Sequence, residues 1–285
     1  MEIKAIKKED IGKLVSLINE VFDDYPIEIN WTEKDFEMDM IENRISLNDS
    51  FFLMDAERYI GFIVMAKSTH SARIDSMGVI KSSRRSGCAY FLLQHVIEHL
   101  KWKKVTEISL EVLSSHELAV EFYKKHGFSI KRNLYSLIFN LNDYAPHRFL
   151  FKEANTHIIH ELSLRAEMIF QRNPNWQRTP LTLQNSGNRY FKHAIYDSGK
   201  RSHPIGYVVW GENPDQAYIV DLFSVDPEYD LKEIIEDSRR FIREETNREK
   251  CIITNLPQDD KVFEKLVESG AEILFKQYEM GLNIR

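Results

Sequence analysis

The sequence has only two cysteines in 285 residues, Cys88 and Cys251, far apart and in unrelated contexts. They read as buried thiols of a reducing cytoplasm rather than as a disulfide framework. No apolar run is long enough to span a membrane, and Met1-Glu2-Ile3-Lys4-Ala5 does not read as a secretory leader. A cytoplasmic protein with no membrane partner is the expectation. A basic excess is missing too. Lys and Arg number 38 against 44 Asp and Glu, a net charge of −6, and no basic stretch is interleaved with aromatics. Non-specific nucleic-acid binding needs a basic footprint, so nucleic acid is not an expected partner. What is present is an ordinary globular composition, 43% hydrophobic and 12% aromatic, able to bury a sizeable core. The length suits about two domains.

One segment is chemically suggestive. Arg84-Arg85-Ser86-Gly87-Cys88-Ala89 lies between the strand-like run Ile74-Asp75-Ser76-Met77-Gly78-Val79-Ile80 and an apolar stripe at helical spacing. That stripe is Ala89, Leu92, Leu93, Val96, Ile97 and Leu100. A basic, glycine-containing segment thus sits where a strand ends and a helix begins. The unpaired N–H groups of a first helical turn point outward there, and the helix dipole favours negative charge. Gly87 and the small Ala89 let a ligand approach the backbone closely. This is the physics of a phosphate cradle.

A second segment follows downstream. Val105-Thr106-Glu107-Ile108-Ser109-Leu110-Glu111-Val112 alternates like a strand. A helical pattern closed by glycine comes next, Ser115-His116-Glu117-Leu118-Ala119-Val120-Glu121-Phe122-Tyr123-Lys124-Lys125-His126-Gly127-Phe128. Together the two segments resemble the GNAT superfamily of acyl-CoA-dependent N-acyltransferases. Arg84, Gly87 and Ala89 fill its R/Q-x-x-G-x-G/A motif. Ala119, Phe122, Tyr123, Gly127 and Phe128 fill its N-x-x-A-x-x-F/L-Y-x-x-x-G-F motif, with His116 where the family usually has asparagine.

The resemblance implies an N-acetyltransferase that passes an acetyl group from acetyl-CoA to a primary amine in a ternary complex, without a metal. It implies that the pyrophosphate rests on the N–H groups of Arg85, Ser86, Gly87, Cys88, Ala89 and Tyr90, with the Arg84 and Arg85 side chains nearby. It also implies splayed fourth and fifth strands, so that Met77, Gly78 and Val79 pair with the pantetheine arm and supply an oxyanion donor. Tyr123 is then the general acid at the sulfur, and His116 lies beside the cofactor. The general base stays open. Asp75 is one candidate, a structural carboxylate is another reading of it, and a water chain serves equally. The acceptor is a small-molecule or peptide amine, and the protein is a monomer or homodimer. A rival reading is a non-catalytic acyl-CoA-binding or regulatory module.

The second half echoes the first. Tyr59-Ile60-Gly61-Phe62-Ile63-Val64-Met65-Ala66 is matched by Pro204-Ile205-Gly206-Tyr207-Val208-Val209-Trp210-Gly211. Asp75 is matched by Asp221, and the pair Gly127 and Tyr135 by Gly270 and Tyr278 at the same separation. The expected fold class is therefore α/β (α+β), with two tandem GNAT-like domains of mixed, mostly antiparallel sheet flanked by helices. The boundary is expected near Asn142-Asp143-Tyr144-Ala145-Pro146-His147. Residues 1–145 form the catalytic domain, and 146–285 a degenerate copy. That copy has Asp226-Pro227-Glu228-Tyr229-Asp230-Leu231-Lys232-Glu233 in place of the cradle and Leu266 in place of the tyrosine. Similar tandem proteins with one degenerate copy are known in the family. Between 154 and 200 the repeat is hard to follow.

Elements of the first copy are expected in the order β-α-α-β-β-β-α-β-α-β-β. They begin with a strand near 2–6, a helix over 9–22, a loop at Tyr25-Pro26-Ile27 and a second helix capped by Thr32. Asp23, Asp24, Glu28, Tyr25 and Trp31 put acids beside aromatics, which suits a cationic acceptor. A solvated acidic loop is the plainer reading. His95-Val96-Ile97-Glu98-His99 fits a zinc-peptidase pattern. Its histidines flank the apolar stripe and Glu98 points away from it, so two surface histidines are expected instead.

Overall fold

The computed structural model describes residues 1–26, 29–141, 145–199 and 202–285. Two compact units emerge, neither of them one contiguous stretch of chain. The first comprises Met1–Val112, Leu118–Lys131 and Glu279–Arg285, the second Leu113–Glu117 and Arg132–Tyr278.

The two copies repeat one series of elements. The first runs β1 (Glu2–Ala5), α1 (Ile11–Val21), α2 (Glu33–Asn43), β2 (Phe51–Asp55), β3 (Arg58–Lys67), β4 (Ser71–Val79), α3 (Cys88–Trp102), β5 (Glu107–Leu113), α4 (Glu117–Lys125) and β6 (Ser129–Asn140). The second runs β7 (Leu150–Glu153), α5 (Thr156–Phe170), α6 (Pro180–Asn185), β8 (Phe191–Tyr196), β9 (Gly206–Glu212), β10 (Ala217–Ser224), α7 (Leu231–Glu245), β11 (Lys250–Pro257), α8 (Lys261–Glu268) and β12 (Glu272–Asn283). The expected fold class holds. The pair of closing strands expected for the first copy does not: among the described residues it ends in one strand of 12 residues, as does the second copy. Residues 129–140 hold no glycine or proline to break the run. Of the expected boundary, Asn142, Asp143 and Tyr144 lie outside the described residues, as do Ile27 and Glu28 of the acidic loop.

In the first unit the strands lie in the order β1-β2-β3-β4-β5, antiparallel except where β4 meets β5. Helix α3 covers one face, with Leu92 against Gly61. Helix α1 covers the other, and Val21 packs so closely on Gly78 that a Cβ there would collide with its side chain. Helix α1 buries Ile11, Leu14, Leu17, Ile18 and Val21, and of the stripe expected on α3 Leu92, Leu93, Val96, Ile97 and Leu100 are buried while Ala89 is half-buried. Thr32 caps α2, accepting from the Asp35 N–H while the Asp35 carboxylate accepts from Thr32 N–H. The N–H of Ile284 donates to the carbonyl of Thr106, tying 279–285 to the entry of β5.

In the second unit the order is β6-β11-β10-β9-β8-β7, again antiparallel except between β10 and β11. Its core gathers Tyr207, Val208, Val209, Leu222, Phe223, Ile235, Ile242, Cys251 and Leu266. Cys88 and Cys251 are both buried free thiols. Gly127 and Gly270 close their helices with φ of 90° and 81°. Among the described residues no helix is long and apolar enough to cross a membrane.

Candidate active site

The site begins where two parallel strands part. The ladder between β4 and β5 pairs Ser71 with Glu107 and ends at Ile74 with Leu110, yet both strands continue, to Val79 and Leu113. At that point Asp75 forms a bulge against β3, the register passing from Ile74–Met65 to Ser76–Val64. A bulge bends the strand and raises its twist, which turns β4 away from β5. Beyond it, Ile80 N–H donates to Ile60 carbonyl across β3. By strand alternation Met77 and Val79 then direct their N–H groups away from β3, into the widening cleft.

The loop after β4 is the segment expected to form a phosphate cradle. Arg85 holds φ of 61° and Gly87 of 85°, and Gly87 is the N-cap of α3 with no side chain capping the first turn. A Cβ built on Gly87 meets nothing within 4 Å, so the helix end opens on free space. The first-turn N–H groups of Cys88, Ala89 and Tyr90 therefore face outward with the helix dipole behind them. Ser86 Oγ lies 3.0 Å from Cys88 Sγ and donates to Ser83 carbonyl at 2.6 Å, which fixes the loop. Tyr90 stacks on His126 at 4.7 Å between ring centroids, joining the start of α3 to the end of α4. These features fit a diphosphate-bearing ligand: a cradle, an uncapped helix and the exposed cation Arg85.

Arg84 is placed differently from the expectation. Its side chain turns from the cradle to the end of α1, donating to Val21 carbonyl at 2.9 Å and to both Asp24 carboxylate oxygens at 2.7 and 2.9 Å. Its Nε donates to Val79 carbonyl at 3.2 Å. The hydrogen bond from Arg84 holds the Asp24 carboxyl below the usual carboxylate range, and the same pairing raises Arg84. Asp24, expected among acids open to an acceptor, is thus already paired.

Tyr123 projects from α4 to the cleft. Its hydroxyl lies 3.9 Å from Met77 Sδ, and its ring packs edge-on against Phe122 and Phe128. Burial, with Tyr25 adding to it, pushes the phenol well above its ordinary value. It stays a protonated donor at any physiological pH. Tyr25, from the segment after α1, is edge-on to Phe22 at 5.3 Å.

Asp75 is ion-paired with Arg73, whose other terminal nitrogen lies 3.8 Å from Glu111 on β5. Burial works against the Arg73 charge, but Asp75 and Glu111 outweigh it and hold it protonated. Glu111 escaped the sequence reading. The only signal was its place in the alternating strand, one residue past the end of the ladder. His116 is exposed ahead of α4, its N–H donating to Leu113 carbonyl. Trp31 is locked to α1 through two bonds with the Asn19 amide. His99 shares a hydrogen bond with buried Asp49 at 2.8 Å, and no cluster of metal-ligand type occurs among the described residues.

The second unit has the same divergence. The β10–β11 ladder ends at Ile219 with Ile253. Just beyond it Arg178 donates to the carbonyls of Thr254 and Asn255 on β11 and lies 3.7 Å from Asp221 on β10. Arg172 grips Asp221 with both terminal nitrogens at 2.6 and 2.8 Å, accompanied by Tyr207 hydroxyl, and donates through Nε to Asp260, the N-cap of α8. The Arg172, Arg178, Asp221 and Asp260 side chains are at most 4% exposed. Both arginines lie in the stretch where the sequence repeat was hard to follow. At the helix end Asp230 caps α7, and the Asp226 carboxylate accepts from Glu228 N–H. Leu266, at the tyrosine position, is fully buried.

With this geometry in view, three comparisons bear on the site. Residues 14–128 match the model of the Acetyltransferase (GNAT) family. N-alpha-acetyltransferase 30 of Schizosaccharomyces pombe is 29% identical over 99 residues, 33% of this chain and 66% of that protein. Ribosomal protein bS18-alanine N-acetyltransferase of Salmonella typhimurium is 29% identical over 108 residues, 37% of this chain and 70% of that protein. A tandem GNAT protein from the clavulanic acid biosynthesis pathway superimposes with a TM-score of 0.70 at 14% identity, over all of this chain and 99% of that one.

Proposed function

Given that residues 14–128 form a GNAT acetyltransferase domain, which makes the chain an acyltransferase, we propose that its first cleft transfers acetyl from acetyl-CoA to a primary amine in a ternary complex. The observation that carries this reading is an uncapped α3 N-terminus beside an unpaired strand edge, with the Tyr123 hydroxyl aimed at that edge. Acetyl-CoA supplies an acyl group already activated as a thioester. The N–H groups at 85–90, with exposed Arg85, hold its diphosphate. The Met77 and Val79 N–H groups offer strand-like hydrogen bonds to its amide arm and a donor to the carbonyl oxygen.

The nitrogen–carbon bond forms as the carbon–sulfur bond breaks. One proton leaves the amine and one arrives on sulfur, from Tyr123. The departing amine proton passes to the carboxylates at the divergence, Asp75 or Glu111, or to a water chain. One relative is named an N-alpha-acetyltransferase and the other an alanine N-acetyltransferase of a ribosomal protein, which favours the α-amine of a peptide as acceptor, with alanine a first choice for its leading residue. Residues 1–145 are proposed to hold the catalytic machinery and 146–285 to lack it. The test is release of free CoA from acetyl-CoA with an alanine-initiated peptide and a panel of small amines. Turnover supports the reading. CoA binding without turnover across the panel supports the rival, a regulatory acyl-CoA-binding module. Neither binding nor turnover removes both.

A further inference from the structure

Arg84 turns its side chain from the loop after β4 to Asp24, and Lys81 of the same loop places its Nζ 3.8 Å from the same carboxylate. All three guanidinium nitrogens of Arg84 are bonded: Nε to Val79 carbonyl at the end of β4, Nη2 to Val21 carbonyl and Asp24, and Nη1 to Asp24. Those partners are three separate pieces of the cleft. Val79 ends the strand edge that pairs with the cofactor arm. Val21 ends α1, which already packs on Gly78 at the divergence. Asp24 belongs to the segment that carries Tyr25, whose amide donates to Phe22 carbonyl and whose ring is edge-on to Phe22, itself edge-on to Phe62 of β3; the Tyr25 charge also adds to the raised Tyr123 phenol. A planar fork bound on two edges fixes both orientation and distance, which a lysine at the same place would not do.

We infer that Arg84 is a positioning residue for the acceptor: its fork on Asp24 and Val21 holds the 22–26 segment, and with it Tyr25, over the mouth of the cleft beside Tyr123. This deepens the proposed function and rests on it. The residue that opens the cofactor motif thus serves the second substrate. Arg85, exposed and next in the chain, is the cation left for the diphosphate. The two side chains of one dipeptide divide the two substrates between them.

The experiment compares Arg84→Gln, Arg84→Lys and Asp24→Asn with the unaltered protein. Arg84 and Asp24 side chains are each 39% exposed, so none of these changes opens a core. Three quantities are read: CoA affinity by calorimetry, KM and kcat for an alanine-initiated peptide at saturating acetyl-CoA, and amide hydrogen exchange over 22–26. In Arg84→Gln and Asp24→Asn the peptide KM rises about tenfold, kcat changes by less than about threefold and CoA affinity stays within about twofold. Exchange speeds up over 22–26 and not in the first turn of α3. Arg84→Lys falls between. A loss of CoA affinity as large as the change in peptide KM puts Arg84 in the cradle and overturns the inference, as does unaltered exchange over 22–26. If the unaltered protein acetylates nothing, the proposed function fails by itself. Exchange and CoA affinity then still decide whether Arg84 holds the acceptor segment apart from the cradle.

Discussion

The two clefts begin alike and end as opposites. In each, a parallel ladder stops partway, at Ile74 and at Ile219, and the strands part around a buried aspartate held by arginine. A parting pair of strands leaves backbone donors and acceptors without partners, and buried ones must be satisfied by something. The second cleft satisfies them from within. Arg178 takes the free carbonyls of β11, and Arg172 bolts β10 to the cap of α8. Its helix end is closed by Asp230 and Leu266 fills the tyrosine position. The first cleft has one such bond, Arg84 Nε to Val79 carbonyl, and an α3 N-terminus with no side-chain cap. The difference teaches that one strand divergence can be built two ways: in the second unit buried side chains fill the space where the strands part, and there they serve the fold.

The sharpest way to break this comparison is Gly87→Glu. The side chain would enter the open space at the α3 N-terminus with the same charge as a diphosphate, and CoA binding should be lost while the fold is kept. Calorimetry on the unaltered chain should give one CoA per chain; two equivalent sites would overturn the reading of the second cleft as filled. Next in size is Tyr123→Phe, expected to lower kcat by about 10²–10⁴-fold with CoA affinity almost unchanged. Because burial raises the phenol, Tyr123 stays protonated as pH rises through its ordinary value, so any alkaline loss of rate below about pH 10 belongs to another group. A pH–rate profile unchanged by Tyr123→Phe in that range checks this.

Arg172→Ala tests the other side. Removing one partner of a buried ion pair costs about 3–5 kcal/mol, seen by denaturant melting, and CoA affinity at the first cleft should not follow. A second CoA bound by this variant would show the arginine to be the only barrier. The smallest effect is expected for Asp230→Ala, about 1 kcal/mol of stability from the lost cap and no change in CoA binding. Gain of CoA binding there would mean that the cap, rather than the arginine wedge, is what closed the second site.

Most of the scaffold was legible because it rests on periodicity. The stripes Leu14-Leu17-Ile18-Val21 and Leu92-Leu93-Val96-Ile97-Leu100 are buried as their spacing required, and Thr32, Gly127 and Gly270 mark helix ends through local backbone chemistry. The strand-to-helix turn at Gly87 was legible for the same reason, since the residues that make it are contiguous. Long-range polar choices were not. Nothing in the sequence joins Arg84 to Asp24, 60 residues away, or Arg172 to Asp221, 49 away. A motif position says where a backbone runs, and an arginine side chain can reach several partners from there. Nor does an alternating run disclose that one closing strand of 12 residues stands where two were expected.

The membership of the two units also sets a timetable. Residues 279–285 belong with the unit that opens the chain, and all of 132–278 is translated before them. At about 5–20 residues per second, the first unit waits on the order of ten seconds between the making of Lys131 and the arrival of its last segment. During that interval the entry of β5, where Thr106 later receives Ile284, has no such partner. An unpaired strand edge is a template for stray pairing. The nascent chain is therefore exposed to misassembly while residues 132–278 are being made, and its first unit is complete only when translation has passed them.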